Sequence, residues 1–206
     1  MKLNHKLIKL LIPVILILLV VLILLLIANS KGILKEKQAV ISVKNTEYTA
    51  NEDGDTIDIG PDELWLGTGA ILDKSYTGVG FSAEEVKGKQ INFARLRVTP
   101  ENDVWIGTQF DLYSELSPAS KVFSQDGPPS ERTLSKLKLE YSADANWKAG
   151  QDYFFDVTGP VRELFGQYPD AGTITIIARS TAGTPYGRKY VPVKNIRLIV
   201  DYLSND

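Results

Sequence analysis

The chain has 206 residues, with 23 Lys plus Arg against 25 Asp plus Glu, one His and no Cys. Without a thiol there is no disulfide framework, thiolate metal site or cysteine nucleophile. The only imidazole is His5, so a histidine triad, a histidine zinc site and a histidine general base are all closed to the rest of the chain.

Residues 10–28 read LLIPVILILLVVLILLLIA, nineteen positions without a charge. At 1.5 Å per residue they reach roughly 28 Å, close to the ~30 Å hydrocarbon core of a bilayer. The sequence therefore predicts a single transmembrane signal-anchor helix at 10–28, behind a cytoplasmic stub at 1–9 that carries Lys2, Lys6 and Lys9. A juxtamembrane tether at 29–37 and an extracytoplasmic domain at 38–206 follow. A cleavable signal peptide is the competing reading: Ala28 and Ser30 suit a cut, and cleavage after Ser30 makes the product secreted. The apolar stretch exceeds the usual signal-peptide length, which favours the uncleaved anchor.

Beyond residue 37 the chain holds 17 basic and 24 acidic side chains. That balance argues against binding nucleic acid or anionic lipid through a general basic field. Period-2 alternation then dominates. The longest such run is 104–114, where Val104, Ile106, Thr108, Phe110 and Leu112 alternate with Trp105, Gln109, Asp111 and Tyr113. Further strands are predicted at 39–43, 56–59, 63–66, 77–81, 91–98, 137–141, 153–157, 173–178, 189–193 and 196–202, separated by turn signals such as Asp53-Gly54 and Gly127-Pro128-Pro129. One helix interrupts them at 160–168, with Val161, Leu164, Phe165 and Tyr168 on one stripe, Thr158 or Gly159 as its cap and Pro160 in the first turn. The expected fold is all-β: a two-sheet antiparallel β-sandwich of jelly-roll type with one short helix.

Two clusters are candidates for chemistry. Residues 51–63 contain Glu52, Asp53, Asp55, Asp58, Asp62 and Glu63, and oxygen ligands at that density fit a structural calcium ion held by Asp53, Asp55, Asp58 and Asp62. The EF-hand pattern itself fails, because Thr56 stands where the sharp-turn glycine belongs; a solvated acidic turn is the plainer reading. The second cluster is aromatic. Trp65 points opposite Leu64 and Leu66, and Trp105 points opposite Val104 and Ile106, so both are expected on outer sheet faces, with Gln109 and Tyr113 sharing the face of Trp105. Flat outward rings beside amides suit glycan stacking. Coverage of the same rings by another segment or subunit is the alternative. No phosphate loop or Ser-x-x-Lys arrangement is present, and paired carboxylates cannot be recognised from spacing along strands. A binding module is therefore expected rather than an enzyme.

The order DELWLG, YTGVGFS, GKQINFARLRV, then ERTLSKLKLEY, Asn146-Trp147, FDVTGPVRELF, ITIIARS and IRLIVDY resembles β-sandwich modules of bacterial extracellular proteins, similar to DNRLRE-type and jelly-roll carbohydrate-binding-like domains, over residues 40–203. The resemblance implies fold and surface location more than chemistry, with Trp147 and Asp156-Val157-Thr158 as packing elements. The expected role is a membrane-anchored cell-surface binding or adhesion module that meets glycan through its aromatic face. A structural subunit of an envelope or secretion assembly is the alternative, and a carboxylate-based glycoside hydrolase the least favoured.

Overall fold

In the computed structural model, the described residues are 18–21, 34–68, 75–143, 146–181 and 187–205. The anchor at 10–28 lies outside them except for 18–21, which are helical, and the Ser30 cut site lies wholly outside them. Among the described residues no helix is long and apolar enough to cross a membrane. The tether is shorter than expected, because Lys35, Glu36 and Lys37 already belong to the first strand.

Among the described residues, twelve strands form three antiparallel sheets. They are β1 (Lys35–Ser42), β2 (Thr49–Asp53), β3 (Thr56–Ile59), β4 (Glu63–Gly67), β5 (Ser75–Ser82), β6 (Gln90–Val98), β7 (Thr108–Ser114), β8 (Leu139–Ala143), β9 (Tyr153–Asp156), β10 (Thr173–Ser180), β11 (Arg188–Pro192) and β12 (Ile196–Ser204). A six-stranded sheet runs β3-β2-β5-β10-β7-β8, a four-stranded sheet β1-β12-β6-β9, and β11 pairs with β4. The large sheet contributes Val79, Phe81, Phe110, Leu112, Ile174 and Ile176 to the main core. The four-stranded sheet supplies Ala94, Leu96, Val98, Leu198 and Val200, and the β4–β11 pair Leu64, Leu66 and Val191. The arrangement is sandwich-like: each sheet turns its alternate apolar residues towards the same interior.

Strand β5 shows how the second face of the large sheet is also closed. Thr77, Val79 and Phe81 point inward, which leaves Gly78 and Gly80 on the outer face. A Cβ at Gly78 would lie 2.2 Å from the Phe123 ring, and one at Gly80 would lie 2.9 Å from Tyr48. The two glycines are trenches for rings. Phe123 belongs to a strap, residues 116–134, that crosses the outer face and packs on Ala50 and Ile177. This cover explains why β10 (TITIIARS) is buried at nearly every position instead of alternately.

The β4–β11 pair is tied to the large sheet by side chains. Asn51 of β2 donates from Nδ2 to the Glu63 carbonyl (2.8 Å) and accepts from the Trp65 amide (3.1 Å). Thr77 donates to the Trp65 carbonyl, and Thr108 to the Leu66 carbonyl at 3.1 Å. Asn51 and Thr77 satisfy the edge of β4 that β11 does not pair, so a short strand is held without exposing its backbone. Asn51→Ala is expected to lower stability by about 1–3 kcal/mol, because the buried Trp65 N–H loses its acceptor. Urea unfolding measures the loss, and an unchanged midpoint would contradict it.

The helix α1 (Thr158–Gln167) buries Pro160, Val161, Leu164 and Phe165 and packs against β6 and β7, one strand from each main sheet. It starts earlier than the sequence suggests. Its first N–H, that of Thr158, is taken by the Asp156 carboxylate at 2.9 Å. The Thr158 hydroxyl turns away to bond the backbone of Ala94 in both directions, at 2.9 and 3.2 Å.

Candidate ligand-binding surface

The run at 104–114 is not one strand. Regular pairing begins at Thr108, and Val104 makes an isolated two-way bridge with Trp147 (Val104 N–H to Trp147 carbonyl 2.9 Å, the reverse 3.0 Å). The physical reason is the anchor opposite. Trp147 is fully buried, stacks on Tyr153 with centroids 4.6 Å apart, and donates from Nε1 to the Tyr141 hydroxyl at 3.1 Å. Val104 is held to this fixed point and not to a sheet ladder. Lys189 points inward from β11, is fully buried, and also donates to the Val104 carbonyl at 2.8 Å. Burial pushes its amine below the usual lysine pKa.

Two further bonds fix the loop. The Asp103 carboxylate accepts from the Ala149 N–H at 2.8 Å, and Gly150 N–H bonds the Pro100 carbonyl at 2.9 Å. The Ala149 N–H, helped by Lys148, holds the Asp103 carboxyl below its ordinary pKa. On this braced loop Trp105 is 63% exposed and Ile106 49% exposed. Lys148 sits over one face of the indole, its Nζ 4.3 Å from the ring centroid, and forms an ion pair with Asp103 at 3.4 Å. Trp105 is thus a largely exposed ring presented by a braced loop, with the Lys148 ammonium over one of its faces and the Asp103 carboxylate paired to that ammonium.

Trp65 sits elsewhere and differently. It is half-buried on the outward face of β4, directly opposite Tyr190 of β11, which is 45% exposed. The Arg188 guanidinium stacks on its ring at 3.9 Å and forms an ion pair with Asp53 at 2.6 Å. One face of Trp65 is therefore occupied. Next to this pair Glu63 faces Pro192 in register, and the strip runs into a groove of about 870 Å³ lined by Asp62, Glu63, Glu101, Pro192, Lys194 and Arg197. Lys194 pairs with Glu101 at 2.9 Å, which lowers the pKa of the carboxyl and raises that of the amine.

Gln109 and Tyr113 lie on β7 and are not brought together with Trp105. Gln109 is half-buried and Tyr113 is buried. The Tyr113 hydroxyl donates to Asp111 at 3.0 Å and accepts from Arg179 at 2.8 Å. Lys138 reaches the same carboxylate at 2.8 Å. Burial, then Asp111, raises the Tyr113 pKa above its ordinary 10.0. A raised folded pKa means the stability contributed by the neutral phenol is full below the unfolded value and is lost as pH rises through the folded one. Ultraviolet titration of the folded protein should show a late-ionising tyrosine that Tyr113→Phe removes; identical titration curves would contradict the assignment.

The calcium ligands do not gather either. Asp53 is bound to Arg188 and accepts from the Ser75 hydroxyl at 2.9 Å. Asp55 stands exposed at the β2–β3 turn, where Gly54 supplies a positive φ of 62°. Asp58 lies on β3 opposite Asn51, and Asp62 lines the groove. Among the described residues no group of three or more such side chains is arranged to hold a metal ion. The cluster is a β-hairpin, because Asn51 and Glu52 are buried strand residues and not turn residues.

Tyr190, Arg188, Lys148 and Asp103 escape sequence reasoning, since each acquires its place through a partner distant in the chain. Comparison with known proteins leaves the geometry to speak alone: no protein-family model matches the chain and no curated protein matches it.

Proposed function

We propose that the chain is a single-span, membrane-anchored protein whose extracytoplasmic domain, a sandwich of jelly-roll type, binds glycan at the cell surface. The observation that carries this reading is Trp105, 63% exposed on a loop braced by Val104, Asp103 and Pro100. A large apolar ring held in water by ordered backbone is costly unless something covers it, and preorganisation lowers the entropy lost on binding. A ring with a neighbouring ammonium and carboxylate matches a sugar, whose C–H face stacks while its hydroxyls take hydrogen bonds. No step of catalysis is assigned.

Intrinsic fluorescence tests this. Trp147 is fully buried and Trp65 half-buried, so Trp105 is the tryptophan most open to a soluble quencher. Soluble cell-surface polysaccharide is expected to protect the emission from acrylamide, and Trp105→Ala to abolish that protection while changing stability by no more than about 0.5 kcal/mol. Quenching that no polysaccharide alters would count against glycan. It would favour the second reading, a subunit of an envelope assembly, for which the neighbouring Ile106, 49% exposed, is the supporting observation.

A further inference from the structure

A pocket of about 490 Å³ opens on the outer face of the large sheet, between the β2–β3 hairpin and the strap. Glu52 lies on that face, in register between Ile57 of β3 and Tyr76 of β5, and all three line the pocket. Pro128 and Glu131 of the strap form the other wall, and Asp55 stands at the hairpin turn. Asp55 and Glu131 are exposed and Tyr76 is half-buried, whereas Glu52 is only 6% exposed. The Oε2 atom of Glu52 accepts from the Ser130 N–H at 2.9 Å. Its Oε1 atom accepts no hydrogen bond among the described residues and stays open to the pocket.

A carboxylate withdrawn from water is costly unless a cation or further donors meet it. Three carboxylates line this pocket and no lysine or arginine does, and among the described residues none of the three has an ion-pair partner. Asp53, next along β2 and pointing the other way, is the one that takes Arg188. A metal ion does not suit the pocket, because among the described residues no group of three or more such side chains is arranged to hold one. An aromatic wall beside carboxylates suits an organic cation, which is drawn to the face of the ring. The single open oxygen decides which cation. A guanidinium is held best by both oxygens of one carboxylate, whereas an ammonium is a point charge that one oxygen can serve. Ser130 already occupies one oxygen of Glu52.

We infer that this pocket binds a primary alkylammonium group, with Glu52 Oε1 as its acceptor, the Tyr76 ring as its wall and Asp55 and Glu131 as an anionic rim. The group arrives either on a free polyamine or on a lysine side chain of a partner. The pocket shares no residue with the Trp105 loop, so the inference stands independently of the glycan reading.

Calorimetric titration of the full chain in uncharged detergent tests this, with a linear diamine (cadaverine), Nα-acetyl-lysine methylamide and Nα-acetyl-arginine methylamide as probes. Saturable binding of the diamine or the lysine amide is expected, weakened at least about tenfold in Glu52→Gln, the loss of one charged hydrogen bond. Glutamine keeps an acceptor for the Ser130 N–H, and the thermal midpoint of the variant reports whether it folds. The double variant Asp55→Asn, Glu131→Gln changes only exposed rim charges and should weaken binding several-fold, with a smaller response to salt. Tighter binding of the diamine assigns the pocket to a free polyamine, and tighter binding of the lysine amide to a partner's side chain. No saturable binding of either overturns the inference, as does binding unchanged in folded Glu52→Gln or an arginine amide held as tightly as the lysine amide. If Glu52→Gln fails to fold, the rim variant decides, and unchanged binding there overturns the inference.

Discussion

Gly67→Ala is expected to cost more than about 3 kcal/mol or to prevent folding, the largest effect of any single methyl group in the domain. Gly67 ends β4 with a φ of 117°, a conformation closed to residues with a Cβ. An added Cβ would stand 1.9 Å from the Gly187 carbonyl and 2.0 Å from the Thr108 hydroxyl. That hydroxyl already bonds the Gly187 and Leu66 carbonyls at 2.8 and 3.1 Å, and Thr68 N–H bonds Gly187 at 3.1 Å. Gly187 is itself pressed on Gly107, whose carbonyl would lie 2.4 Å from a Cβ there. Strands β4, β11 and β7 therefore meet at a knot of three glycines, and neither backbone can retreat without breaking the bonds that join the sheets. The matched control is Gly166→Ala in α1, where a Cβ meets nothing within 4 Å; it should stabilise the protein by up to about 1 kcal/mol through helix propensity. Thermal unfolding of both variants checks the pair. A Gly67→Ala protein as stable as the parent would contradict the close approach.

Arg132→Met is expected to destabilise the domain by about 3–5 kcal/mol, the penalty for leaving one member of a buried ion pair alone. Arg132 and Glu115 meet at 3.2 Å with side chains only 10% and 7% exposed. Arg132 also donates to the carbonyls of Val122 and Gly127, each at 2.9 Å, and its guanidinium covers the Phe123 ring at 4.8 Å. The strap is thus pinned at its base and at its ring by one residue. Glu115 keeps only the Ser120 hydroxyl, which is itself 2.7 Å from Thr175 of β10. Loss of the guanidinium should loosen the strap before the sheets. Limited proteolysis with trypsin tests this: cleavage after Lys121 should become the first event in Arg132→Met and be slow in the parent. A variant cut first elsewhere, at the parental rate, would contradict it.

The strands were legible in the chain where one face alone is buried. β6 and β12 differ from prediction by one or two residues; β3 (Thr56–Ile59) also has the predicted bounds, although none of its residues is buried. Legibility failed where tertiary partners override the period. β2 hides in an acidic run because Asn51 and Glu52 are buried for their hydrogen bonds, to β4 and to the Ser130 N–H at 2.9 Å, and not for hydrophobicity. The strand assigned to 104–107 fails because Val104 pairs with Trp147, 43 positions along the sequence. For the site, the exposure of Trp105 was readable from its neighbours; the reason was not, since alternation placed it on a sheet face and the structure places it on a loop. Trp65 had the right orientation, yet nothing local announces that Arg188 occupies its ring. Tyr113 was expected to point outward and does so, into a cluster with Asp111, Arg179 and Lys138 that buries it.

The most direct measurement is retention of the detergent-solubilised full chain on a panel of insoluble polysaccharides and cell walls, with Trp105→Ala and Trp65→Ala beside it. The expected result is retention on at least one glycan, lost in Trp105→Ala, whose ring is 63% exposed, and largely kept in Trp65→Ala, whose ring is half-buried under Arg188. Retention that survives in folded Trp105→Ala, or no retention on any glycan, would contradict the assignment of the braced loop as a glycan-binding site.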